Sequence, residues 1–191
     1  MRSARTLRMG PRVWIALAVL ASLAAACPRP GAAQSGAVPA ALAGTWAHDG
    51  DPARAVRTVD AAFAPRIAAL PELIQGLARD RIRSDMPPPQ RVLVTLEGSR
   101  VRVTLESSRT TVVDGAVGAP ARTTGVSDGT RVTPRLQGGW LELLYPGEGS
   151  ELHQLYSTEP DGSRMHLDYT VVSSRLGAPV RYRLEYVRAP R

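Results

Sequence analysis

From residue 90 onward the chain alternates apolar and polar side chains, and this period of two constrains the fold more than any other feature. Val92, Val94 and Leu96 run up to a turn at Glu97-Gly98-Ser99, and Val101, Val103 and Leu105 run back between Arg100, Arg102 and Thr104. Successive strand residues point to opposite faces, so such a segment has one dry face and one wet one. Turn chemistry then recurs at Asp114-Gly115, Asp128-Gly129, Gly138-Gly139, Pro146-Gly147-Glu148-Gly149, Pro160-Asp161-Gly162 and Gly177-Ala178-Pro179. The intervening strands are expected near 109–113, 120–125, 130–136, 139–145, 151–157, 164–173 and 179–187. With the hairpin and an earlier strand over 41–48, that makes ten. A meander of this length without intervening helices closes on itself, because closure removes the unpaired edges. The expected fold is therefore mainly β, an up-and-down antiparallel barrel. Pro134 cannot donate to a ladder, so a seam or bulge is expected beside it.

A helical insertion follows the first strand. Asp51-Pro52 provides a capping carboxylate and a proline suited to the first helical position. Val56, Val59, Phe63, Ile67 and Leu70 then recur at helical spacing, with an interruption or kink expected at Pro65. Pro71-Glu72 restarts the pattern. Leu73, Ile74, Leu77, Ala78 and Ile82 continue the stripe, opposite Arg79, Asp80, Arg81 and Arg83. Residues 52–85 thus read as a helical hairpin lying on an apolar surface, ended by Met86-Pro87-Pro88-Pro89.

The first 33 residues read as a bacterial secretory signal. Arg2, Arg5, Arg8 and Arg12 precede the apolar run Val13–Ala26, which is too short to span a bilayer core about 30 Å thick. Two processing sites compete. Small residues surround a cleavage point after Ala33, whereas Leu23-Ala24-Ala25-Ala26-Cys27 resembles a lipobox that would anchor Cys27 through a diacylglyceryl group. Residues 34–40 form a linker, and 41–191 the barrel domain.

The leader also decides how the charge is read. The chain has a net charge of +7, all of its cations being arginine, which superficially suggests a phosphate-rich partner. Five arginines and no acids fall in residues 1–33, so the remainder carries 19 arginines against 17 acids, or +2. No nucleic-acid partner is expected. Cys27 is the lone cysteine, so no intrachain disulfide can form and stability must come from an ordinary core.

Gly44-Thr45-Trp46 at the head of such a meander resembles the Gly-x-Trp signature of the calycins, the lipocalins and fatty-acid-binding proteins. The order of one strand, two helices and nine strands resembles the fatty-acid-binding branch. That resemblance implies helices that cap the barrel mouth, and an Arg-x-Tyr pair in the last strand that holds a ligand carboxylate. Here the last strand departs from the pattern. With Val180, Tyr182, Leu184 and Tyr186 inward, Arg181 and Arg183 point out and the clamp is not available. The lipocalin resemblance implies instead a late arginine packed on the signature Trp, a role assigned to Arg183 beside Gly44 and Trp46.

Few residues suggest chemistry. His153, His166 and Asp168 have metal-like composition and are expected on one face of neighbouring strands, 153 opposite about 168 and 155 opposite about 166. That face is the solvated one, since Leu152, Tyr156, Met165, Leu167, Tyr169 and Val171 form the other, so a cross-strand polar pair is the reading and no metal or cofactor is expected. No Gly-x-Ser-x-Gly elbow is present, and the Asp-Gly pairs lack the alternating oxygen ligands of a calcium loop. Trp46 and Trp140 are read as barrel plugs. The expected function is that of an exported, non-enzymatic barrel protein holding a small hydrophobic or amphipathic ligand. Tyr156, Met165, Leu167, Tyr169 and Tyr182 are the interior residues expected to line its site. The alternative is an envelope structural or interaction module whose barrel is filled by its own side chains, since the inward residues are bulky.

Overall fold

In a computed structural model, which describes residues 40–125 and 129–190, the alternating segments become ten antiparallel strands. The leader with Cys27 and Ala33, linker residues 34–39 and Asp128 lie outside the described residues. A short helical turn, Ala40–Leu42, leads into β1 (Gly44–His48). Two helices follow, α1 (Pro52–Ala68) and α2 (Glu72–Asp85). The remaining strands are β2 (Arg91–Glu97), β3 (Arg100–Glu106), β4 (Thr110–Ala116), β5 (Ala121–Gly125), β6 (Arg131–Gln137), β7 (Trp140–Gly147), β8 (Ser150–Thr158), β9 (Arg164–Ser173) and β10 (Val180–Arg188). Each strand pairs with its sequence neighbours, and β1 pairs with β10 to close the barrel.

The core follows from parity. Val92 and Val94, Val101 and Val103, Leu141 and Leu143, and the even-numbered residues 180–186 of β10 are all buried. Pairing is sparsest between β5 and β6, where only Ala121↔Val132 and Arg122↔Arg131 are in register among the described residues. Pro134 lies just past this short ladder, opposite Leu143 of β7, and its carbonyl accepts from the Gly118 amide at 2.7 Å. The seam expected at this proline is therefore present, within a closed barrel.

One end of the barrel is sealed around Trp46. The side chain is fully buried and its indole N–H donates to the Leu42 carbonyl at 3.0 Å. Arg188, not Arg183, stacks on the ring, with its guanidinium carbon 4.4 Å from the ring centroid. The register explains the correction: Trp46 faces Arg188 across the closing ladder. Arg183 stands at an outward position and makes a paired contact with Asp168, its partner on β9, at 2.7 and 2.9 Å. The Arg188 guanidinium also donates to the carbonyls of Ala41, Ala43 and Gly162. Gly44, at φ +136, completes the arrangement. A Cβ there would stand 2.7 Å from the Arg188 Nη1, in a backbone conformation that favours glycine.

The helices cross the other end. Asp51 caps α1 by accepting from the Ala53 amide at 2.9 Å, and Pro52 occupies the first turn. The expected break at Pro65 does not occur. The helix runs through it, and both Pro65 and Ala61, whose carbonyl loses its donor, lie on the exposed side where water can replace the bond. Ala55, Val59, Phe63 and Ile67 form the buried face, while Val56 turns to solvent. For α2 the expectation of a buried stripe is overturned. Leu73 is 94% exposed, Leu77 71% and Ile74 41%; only Ala78 and Ile82 tuck partly against the core. The helix makes its contacts mainly with α1, including a pair of Arg83 hydrogen bonds to Asp60, because α1 already covers the barrel interior.

This geometry predicts unequal roles for two arginines of one strand. Arg188→Ala should cost about 2 kcal/mol in urea denaturation, from the lost ring contact and charged hydrogen bonds. Arg183→Ala, which breaks a solvent-screened pair, should cost less than about 1 kcal/mol. The reverse order would contradict the assignment of Arg188 to the seal.

Candidate binding cavity

A cavity of about 200 Å³ opens beneath the helices, at the end opposite Trp46. Asp85 at the end of α2 and the connection through Met86, Pro87 and Pro89 form one wall. Leu105 of β3, Thr111 of β4 and the turn residue Ser107 between them form a second, with Thr130 ahead of β6. Its floor comes from Tyr145 of β7, Leu152 and Gln154 of β8 and Tyr169 of β9.

Gln154 is the unusual member. It is 5% exposed and occupies an inward position between Leu152 and Tyr156. A buried amide is costly unless hydrogen-bonded. The hydroxyls of Tyr145 and Tyr156 both donate to its Oε1, at 3.2 and 2.9 Å. The Nε2 then carries two donors with no protein acceptor among the described residues, on a residue that lines the cavity. The Tyr169 hydroxyl is likewise without a protein partner among these residues, while its ring stacks on Tyr182 with centroids 4.6 Å apart. Tyr182 in turn meets Phe63 of α1, at 6.3 Å between centroids, which joins the cavity floor to the capping helix.

Burial pushes the hydroxyls of all five tyrosines above the ordinary range. Desolvation is the main cause, and neighbouring tyrosines add to it for Tyr156, Tyr169, Tyr182 and Tyr186. Tyr145 keeps some accessible surface because it borders the cavity, yet protein encloses the rest of it. All five hydroxyls therefore remain protonated donors at neutral pH.

The five residues expected to line a ligand site are all buried inside the barrel, but they lie at different depths. Tyr169 borders the cavity, with Tyr182 stacked behind it. Tyr156 reaches the cavity only through Gln154, and Met165 and Leu167 lie deeper, paired with Tyr186 and Leu184. Sequence reasoning missed Gln154, although its position carried a signal: the parity that turns Leu152 and Tyr156 inward turns Gln154 inward too.

The remaining candidates sit on the outside. His153 pairs with Thr170, and it is Leu155 that stands opposite Asp168, so the ladder is displaced by two residues from the expected alignment. His153 contacts Glu142 at 2.7 Å and Glu151 at 3.4 Å, His166 approaches Glu159 at 3.6 Å, and Asp168 is taken by Arg183. No group of three His, Cys, Asp or Glu side chains suited to a metal occurs among the described residues. Trp140, 49% exposed in the β6–β7 hairpin, is not a plug. Asp161 forms a turn, its carboxyl held below the usual range by hydrogen bonds from the Ser163 amide and hydroxyl.

No protein-family model matches the chain, and no curated protein matches it in sequence. Among solved structures, it is similar to a secretary abundant heat soluble protein from Ramazzottius varieornatus at 13% identity and a TM-score of 0.53, over 78% of this chain and 96% of that one. The likeness is one of fold, a closed antiparallel barrel with two helices after the first strand. The fluorescent protein UnaG (15% identity, 77% of this chain and 96% of that one) aligns at a TM-score of 0.49. Fatty-acid-binding protein 1 of Echinococcus granulosus (14% identity, 79% and 99%) aligns at 0.47. At such identities the likeness concerns the barrel and its two helices; it assigns no ligand.

The enclosure of every tyrosine makes a sharp prediction for alkaline pH. Each folded-state pKa lies above the unfolded value of about 10, so below that pH the favourable burial of neutral phenols is fully present. As pH rises past about 10, the unfolded chain releases protons that the folded chain retains, and stability falls. Tyrosinate absorbance should therefore appear in one step, coincident with loss of circular dichroism. Ionisation of one or more tyrosines near pH 10 with the fold intact would contradict this enclosure.

Proposed function

We propose that this chain is an exported, non-enzymatic barrel protein that binds a small hydrophobic or amphipathic ligand at the mouth of its barrel. The observation that carries the reading is the cavity beneath the helices, with Gln154 buried in it and the Gln154 amide nitrogen lacking a protein acceptor among the described residues. Leu105, Leu152, Met86 and Pro89 supply apolar surface, and the hydroxyls of Thr111, Thr130 and Tyr169 supply the few polar groups that orient a ligand in such sites. The names of the similar structures are not those of enzymes, and one is a fatty-acid-binding protein.

Export rests on residues 1–33, where the arginine-led apolar run and the small residues before Gln34 support cleavage after Ala33. Lipidation at Cys27 would instead tether the barrel to a membrane. Radioactive palmitate incorporated by the wild type and lost in Cys27→Ser would establish the tether; an unlabelled product beginning at Gln34 would establish release.

A second reading, a filled barrel serving as an interaction module, draws on the packed interior around Trp46 and on the exposed Leu73, Ile74 and Leu77 of α2. Organic extraction of purified protein followed by mass spectrometry separates the two. The binding reading expects a stoichiometric small amphiphile, lost in Leu152→Trp, whose larger side chain occupies the cavity. No stoichiometric compound from the wild type would favour the filled barrel.

A further inference from the structure

We infer that the cavity selects an uncharged ligand with a compact apolar body and a carbonyl-type hydrogen-bond acceptor, and that it rejects organic anions. This rests on the binding reading above and names the ligand class for the same site. Three observations carry it.

The polar groups at the floor offer hydrogen-bond donors. Two tyrosine hydroxyls donate to the Gln154 Oε1, an arrangement that satisfies both hydroxyl protons and leaves the amide N–H groups for a ligand. The Tyr169 hydroxyl, held in place by the stack on Tyr182, is a further donor lining the same cavity. A ligand oxygen accepting from Gln154 and Tyr169 would satisfy groups that are otherwise left to water. An apolar ligand would leave them unpaired, which costs binding free energy.

The site lacks a countercharge for an anion. No arginine or histidine lines the cavity among the described residues, and its one carboxylate, Asp85, is already paired with the exposed Arg81 at 2.6 Å. Arg181 and Arg183, which could have served a carboxylate from β10, stand on the outer face, and Arg183 is engaged by Asp168. Burying a carboxylate with no cation lining the cavity is strongly unfavourable.

Size sets the last limit. A volume of about 200 Å³ is somewhat larger than the ~150 Å³ apolar cavity known to hold one benzene molecule, so the enclosed part of a ligand is about one ring with a short substituent.

Acetophenone, benzoate and isopropylbenzene have equal numbers of non-hydrogen atoms and differ in charge and acceptor, which makes them suitable probes. Calorimetric titration of the full chain should show acetophenone binding at least about tenfold more tightly than either of the others, the size of effect expected for paired against unpaired buried donors. Gln154→Glu keeps an acceptor for Tyr145 and Tyr156 but removes the amide donors. Tyr169→Phe keeps the ring stack and removes the hydroxyl. Each variant should lose most of the acetophenone preference while still binding isopropylbenzene, which also reports that the cavity is intact. Benzoate binding as tightly as acetophenone, or acetophenone and isopropylbenzene binding equally to the wild type, would overturn the inference and leave the binding reading standing. Failure of all three to bind would overturn both.

Discussion

Pairing of β1 with β10 joins residues near the two ends of the described chain, and the rest of the barrel depends on that closure. Without it β1 and β10 would each present an open edge. The register Trp46↔Arg188 places an aromatic plug and its cation in one layer, and Gly44 leaves room for the guanidinium. Three backbone carbonyls that would otherwise face the rim accept from the same arginine. Because β1 is short, the chain leaves it at the opposite end, where the helices must then cross before β2 can begin. Closure thus determines which mouth is sealed and which is covered by α1.

The interior changes character along the axis. Near the seal, Met165 pairs with Tyr186, and Leu167 with Leu184, all essentially without solvent access. One layer further, Tyr182 stacks on Tyr169, which stands opposite Gln154. These bulky side chains are buried and occupy the lower barrel. The polar amide and the cavity appear one layer further still, beside the connection from α2 to β2. On the binding reading proposed above, stability rests on the lower layers and recognition on the few polar groups that line the cavity.

Much of this was legible because a period of two encodes both strand and face. The strands over 164–173 and 180–188, the inward tyrosines and the outward Arg181 follow from it directly. The same rule, carried two residues past Tyr186, puts Arg188 on the face of Trp46 and identifies its true partner; Arg183 followed from family resemblance and ran against parity. Gln154 was legible in the same way, as a polar residue at an inward position. The fate of α2 was not. Its apolar periodicity is indistinguishable from that of α1, and only the three-dimensional placement of α1 over the core leaves Leu73 and Leu77 in solvent. Likewise the two-residue offset of His153 depends on how β8 and β9 meet at their turn, which composition does not specify.

The central claim is that recognition is confined to the mouth of a barrel whose lower half is solid. Two-dimensional NMR of the protein with and without a saturating ligand tests it most directly. Resonances of the Gln154 side-chain amide and the Leu105 and Leu152 methyl groups should shift, while the Trp46 indole N–H, bonded to Leu42 beside the seal, should not. Comparable shifts at Trp46 and Leu141 would mean that ligand reaches the lower barrel and would contradict the account.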